Sequence, residues 1–257
     1  MRVLVGLAVS AVLTLMPTAA TVTAAGAPLP ETAAPAGHVA IVQAVPGASV
    51  DVMIDGETVE SGVAAGEVLG PYRLSPGEHQ VDFSGSGDVT QAATVEVEAG
   101  SEQDLVLHLP ASVGGAAVVT SYSTPDEPIG PGKARVLVAH TATVAPADVQ
   151  VDGQVVFTNI ANGEFATADV PAGEHVVALL PTGQTTDPIL GPLTVELVPQ
   201  TVTMVYAMGD PDQDTMELVA HSARLASDGS LVPSMIGTGS AGLAADIRVS
   251  TFGGGPS

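Results

Sequence analysis

The chain has 257 residues, 46% hydrophobic and 13% charged, which supplies apolar material for a packed core and argues against global disorder. Its 28 acidic residues against 6 basic ones leave a net charge of −22, a field that repels phosphate backbones and anionic lipid and excludes nucleic acid as a partner. With no cysteine, disulfides, thiolate catalysis and cysteine-held metals are excluded too, so stability must come from core burial.

The chain opens on Met1-Arg2, then an uncharged apolar run from Val3 to Met16, then Pro17 and small residues to Ala25. A cationic start, an apolar stretch too short to span a bilayer and a small-residue exit predict a secretory signal over 1–25, cleaved near Ala24 or Ala25. Residues 26–37, with Pro28, Pro30 and Pro35, read as a flexible lead-in. A β repeat is predicted over 38–122 and a proline-rich, semi-rigid linker over 123–132. A second repeat follows over 133–225 and a Gly-rich, low-complexity, disordered tail over 226–257. No second apolar span follows the signal, so the mature chain is expected to have no membrane anchor.

The repeat is visible residue by residue. Asp51-Val52-Met53-Ile54-Asp55-Gly56 returns as Asp148-Val149-Gln150-Val151-Asp152-Gly153, about 97 residues on, a period too long for a solenoid and right for a whole domain. Each copy is expected to open on an alternating strand, Val39–Gln43 or Val136–His140. In the next strand Val50, Val52 and Ile54 share one face, as Val149 and Val151 do in the second copy. Asp148, Gln150 and Asp152 are predicted to face outward. Asp55-Gly56 and Asp152-Gly153 are residues that accept positive φ in a two-residue hairpin turn. Leu74-Ser75-Pro76-Gly77 and Val170-Pro171-Ala172-Gly173 mark a further turn, followed by strands carrying His79, Val81 and Phe83, or His175, Val177 and Leu179. Each copy closes on strands around 105–109 and 116–122, or 202–206 and 216–221. The second copy gains four residues between Leu180 and Leu193, in a stretch of Pro and Gly that predicts a loop. Seven or so Val-rich strands per copy predict an all-β chain of two tandem immunoglobulin-like β-sandwiches.

Candidate chemistry is sparse. Asp210-Pro211-Asp212-Gln213-Asp214 places acids at alternate positions, as a calcium loop does, which makes Asp210, Asp212 and Asp214 the candidate metal ligands and calcium the one cofactor raised. The sixth position is Thr215 where glycine is expected, and the twelfth is His221 where Glu is expected, so a polar turn is the simpler reading. His79 and His175 recur at equivalent strand edges, which points to an imidazole bonded to a turn carbonyl. His108 and His140 fall in strands without ligand spacing. No Gly-x-Ser-x-Gly elbow sits on a strand–helix turn, and the sole lysine, Lys133, lacks a phosphate loop, so no catalytic residues are assigned.

The run from Val136-Leu137-Val138-Ala139-His140 through Ala147–Gly153, with Asn159-Ile160-Ala161-Asn162-Gly163, Val170–Gly173 and Glu174-His175-Val176-Val177, resembles the bacterial domain-of-unknown-function family 4397. The second copy matches more fully; in the first, Gln43 replaces His140. The resemblance implies secreted or envelope-associated β-sandwich modules, often in tandem, and brings no catalytic residues. The expected function is therefore a secreted, non-enzymatic interaction or structural module, extracellular or loosely held at the cell envelope, with a protein or glycan partner there. The alternative is a glycan- or ligand-binding module, calcium-assisted or not. Sugar platforms need aromatic faces, and the chain offers three tyrosines, Tyr72, Tyr122 and Tyr206, and no tryptophan.

Overall fold

Branched Val-rich segments punctuated by Gly and Pro leave little for a helix to use, and the described residues fold into strands joined by turns, with one 3-10 turn. The computed structural model describes residues 34–87 and 89–225 and two-residue strands at 231–232 and 250–251. The signal segment and most of the tail lie outside the described residues. In the first copy the strands are β1 (Gly37–Ala44), β2 (Ser49–Ile54), β3 (Glu57–Ala64), β4 (Val68–Leu74), β5 (Gly77–Gly85), β6 (Thr90–Val97), β7 (Glu102–His108) and β8 (Val118–Ser123). The second repeats them as β9 (Lys133–His140), β10 (Ala147–Val151), β11 (Gln154–Ile160), β12 (Phe165–Pro171), β13 (Gly173–Pro181), β14 (Leu190–Leu197), β15 (Thr201–Met208) and β16 (Glu217–Leu225). Short strands β17 (Leu231–Val232) and β18 (Ser250–Thr251) extend its two sheets.

In each copy two sheets face one another. The order β4-β1-β7-β8 opposes β3-β2-β5-β6, and β12-β9-β15-β16 opposes β11-β10-β13-β14. The two-sandwich, all-β prediction holds, with eight strands per copy instead of about seven. The connectivity differs from the immunoglobulin constant domain. Lettered along the chain, D-A-G-H faces C-B-E-F here, against A-B-E-D facing C-F-G there. The first and seventh strands of each copy, β1 with β7 and β9 with β15, pair in parallel at the centre of a sheet.

The turn chemistry follows the sequence. Asp55 and Gly56 have φ of 51° and 82°, and Asp152 and Gly153 have 50° and 78°, the two positive values a type I′ turn requires. The four added residues lengthen the β13–β14 loop relative to β5–β6. One orientation differs from expectation. Asp148 is buried, because that longer loop folds over it and the Gly183 and Asn159 backbone N–H groups donate to its carboxylate at 2.9 and 2.8 Å.

Each copy encloses its own interior, and a third apolar layer lies between them. The first interior is one continuous cluster around Ile41, Phe83 and Leu107. The second has two clusters of fully buried residues, one around Val195 and Val205 and one around Val149 and Leu179, bridged by the half-buried Val138, Val177 and Leu218. Between the copies, Val42, Ala44, Val106 and Tyr122 of the first pack against Leu137, Met204, Tyr206 and Met208 of the second. Four sheets therefore stack in series, and the two middle ones are covered on both faces. Strand β15 is buried at every residue, as expected for a central strand with no solvent side. The linker joins this seam. Ile129 is buried in it, Gln200 donates to the Ile129 and Gly130 carbonyls, and Arg135 donates to the Glu127 carbonyl.

Candidate functional site at the seam

The middle layer carries a buried polar group. On β7, Asp104 is 2% exposed and takes the place that Met204 holds in the second copy's register. Its Oδ2 accepts from the Tyr206 hydroxyl on β15 at 2.5 Å and from the His221 Nε2 on β16. A carboxylate withdrawn from water needs such partners, since an unpaired buried charge is strongly unfavourable. Burial alone would lower the His221 pKa, but Asp104 beside it outweighs burial and the pKa is raised. Burial, reinforced by Asp104, holds the Tyr206 phenol well above its ordinary range. Tyr122 packs its ring 5.5 Å from that of Tyr206 and donates to the Gly163 carbonyl; burial pushes its phenol up to about 12. Beside the group lies a recess of about 30 Å³ lined by His38, Glu102, Asp104, Thr124 and His221, in which burial raises the Glu102 pKa. The arrangement ties one copy to the other by hydrogen bonds. Asn162 adds another tie, donating to the Leu109 carbonyl across the seam and to the Ala142 carbonyl in its own copy.

The recurrent histidines form a second arrangement, present once per copy. His79 Nδ1 lies 2.7 Å from Asp55 Oδ2 and its Nε2 2.8 Å from the Ser75 carbonyl; His175 repeats this with Asp152 and the Pro171 carbonyl at 2.7 and 2.8 Å. A carboxylate and a carbonyl both accept, so the protonated ring, which donates through both nitrogens, satisfies both partners. The hydrogen bond to Asp55 raises the His79 pKa; for His175, burial opposes and the bond to Asp152 prevails. The carbonyl contact was expected from sequence. The turn aspartate as the second partner was not, although both Asp-Gly pairs recur in step with the histidines.

Two other histidines are buried and meet only uncharged partners. His108 Nδ1 donates to the Leu109 carbonyl while Nε2 accepts from the Thr120 hydroxyl, both at 2.9 Å. His140 bonds the Ala145 carbonyl through Nε2 and leaves Nδ1 buried without a partner. Burial is the chief cause holding both below the ordinary histidine pKa.

The candidate calcium ligands do not converge. Asp210 is 3% exposed and caps the 3-10 turn Pro211–Gln213, accepting from the Asp212 backbone N–H at 2.9 Å and the Gln213 side chain at 2.8 Å. Asp212 and Asp214 point to solvent, and Asp214 sits at φ 55°, closing the turn. Among the described residues no group of three or more His, Asp or Glu side chains is placed to hold a metal ion.

Comparison with known families brings no chemistry. Residues 37–147 match the family model Domain of unknown function (DUF4397). The match covers the first copy and the linker and ends at the first residue of β10, whereas the sequence motifs led to the second copy as the fuller match. No curated protein matches the chain.

Proposed function

We propose that this chain is an exported, non-enzymatic tandem module in which both copies are versions of the same family domain, serving as a rigid structural or interaction element of the cell envelope or its surroundings. One observation carries this reading: the sheets that could face partners separately are fused into a single seam, and the buried acid of that seam, Asp104, is committed to His221 and Tyr206. At the seam a nucleophile–base pair would need the histidine directed at a hydroxyl or thiol, and the His221 Nε2 is directed at Asp104. The charge of −22 supports solubility outside the cell and partners that are neutral or basic. Among the described residues no helix is long and apolar enough to cross a membrane.

The test has two arms. Full-length chain produced in a bacterial host should be recovered from medium or envelope with its first 24 or 25 residues removed, as read by intact mass; unprocessed chain held in the cytoplasm would overturn export. The purified protein should show no turnover of ester, glycoside, peptide or phosphoester substrates. Turnover lost on Asp104→Asn or His221→Ala would replace this reading with an enzymatic one. Of the ligand-binding alternative, the glycan form has few aromatic platforms: Tyr122 and Tyr206 are buried, Tyr72 packs against the first core, and Phe165 is 52% exposed. An apolar ligand is better supported.

A further inference from the structure

The two interiors are built on one register but not filled alike. Pairing partners identify equivalent positions: Tyr72 opposite Val39 corresponds to Ala168 opposite Val136, and Phe83 opposite Val52 to Leu179 opposite Val149. Likewise Leu105 and Leu107, beside Ile41 and Gln43, correspond to Val205 and Ala207 beside Val138 and His140. At each of these four positions the second copy has the smaller side chain. Larger residues do appear elsewhere, Leu193 for Ala93 and Leu218 for Val119, but they return only part of the lost volume. The consequence is a cavity of about 70 Å³ in the second copy, lined by residues of both its clusters. That is several times the roughly 10–15 Å³ one water needs, and its apolar lining gives a water there few polar partners.

The lining is aliphatic apart from Phe157 and His175. His175 offers nothing to a guest, because both its nitrogens are bonded to Asp152 and the Pro171 carbonyl. The cavity reaches Val156, 43% exposed on edge strand β11, and Ala168 on edge strand β12. In the first copy the corresponding edge is closed by Tyr72 packed on the core. A guest must therefore be apolar where it enters, with any polar end left outside. The acidic exterior disfavours an anionic head.

We propose that the interior of the second copy is a slot for the alkyl chain of an uncharged amphiphile, entered between β11 and β12, and that the first copy has lost or never had such a slot. The assignment stands apart from the structural role proposed above, since a rigid tandem could carry this slot or do without it.

Titration calorimetry of the full chain with 1-butanol through 1-decanol tests it. Affinity should tighten about fourfold per added methylene, as burial of each group predicts, and level off once the slot is full. Ala207→Leu and Ala168→Tyr, which install the first copy's residues, should each weaken 1-octanol binding at least tenfold while leaving the far-ultraviolet circular dichroism unchanged. If one variant does not fold, the other decides. Absence of saturable binding, or binding that survives the filling substitution in a folded variant, overturns the slot. Octanoate binding as tightly as 1-octanol overturns the uncharged head.

Discussion

A histidine bonded by a turn aspartate and a turn carbonyl is a pH-dependent strut, and this chain has two. A histidine whose folded pKa is raised contributes stability that is full below its ordinary value of 6.5 and is lost as pH rises through the folded value. The double variant His79→Gln, His175→Gln should therefore differ most from the parent at pH values below 6.5 and converge with it as pH rises, measured by urea unfolding across pH. A constant difference would mean the rings act by packing alone. At the same scale, Asp210 serves the backbone. Asp210→Ala should lower stability by about 1 kcal/mol, the usual worth of a cap, and by the same amount with and without added calcium. A calcium-dependent loss would restore the ligand reading of Asp210, Asp212 and Asp214. The Asp-Gly turns and the carbonyl partners of His79 and His175 were readable in the chain, because turn residues act within a few positions of themselves. The burial of Asp148 was not, because it depends on a loop that returns 35 residues later.

For the strands, the informative contrast lies between those that alternate and those that do not. Strand β2 alternates, with Val50, Val52 and Ile54 inside and Asp51 outside, and it has one solvent face. The runs Val39-Ala40-Ile41-Val42 and Val136-Leu137-Val138-Ala139 are apolar without interruption, and their strands are covered on both faces. Both runs are expected from sequence to be alternating strands; the structure corrects this, because the seam covers the face that alternation would leave to solvent. The covering partner was hidden, since a continuous apolar strand does not name what covers it. Packing also differs between equivalent elements. Phe83 sits at 1% exposure in the continuous first core, so Phe83→Ala should cost about 3–5 kcal/mol by denaturant unfolding.

At the scale of the molecule, a shared middle layer couples the copies. The chain should melt in one calorimetric transition in which calorimetric and van't Hoff enthalpies agree, although each copy has its own interior. Met204, fully buried in the seam, is the place to break that coupling. Met204→Glu puts an unpaired charge in an apolar layer and should divide the melt into two transitions; a single undivided transition in the variant would mean the copies are coupled through the linker instead.

The amino-acid sequence by itself determined the duplication, the strand-and-turn pattern, the place of the inserted loop and the absence of any thiol chemistry. These follow from local rules: side-chain period, the φ each turn residue tolerates, and composition. Only the tertiary structure decided that the copies fuse face to face, that Asp104 meets Tyr206 and His221 from 102 and 117 residues away, and that the second interior is left partly unfilled. Those outcomes depend on which faces meet and how their volumes sum, and no single stretch of chain carries that information.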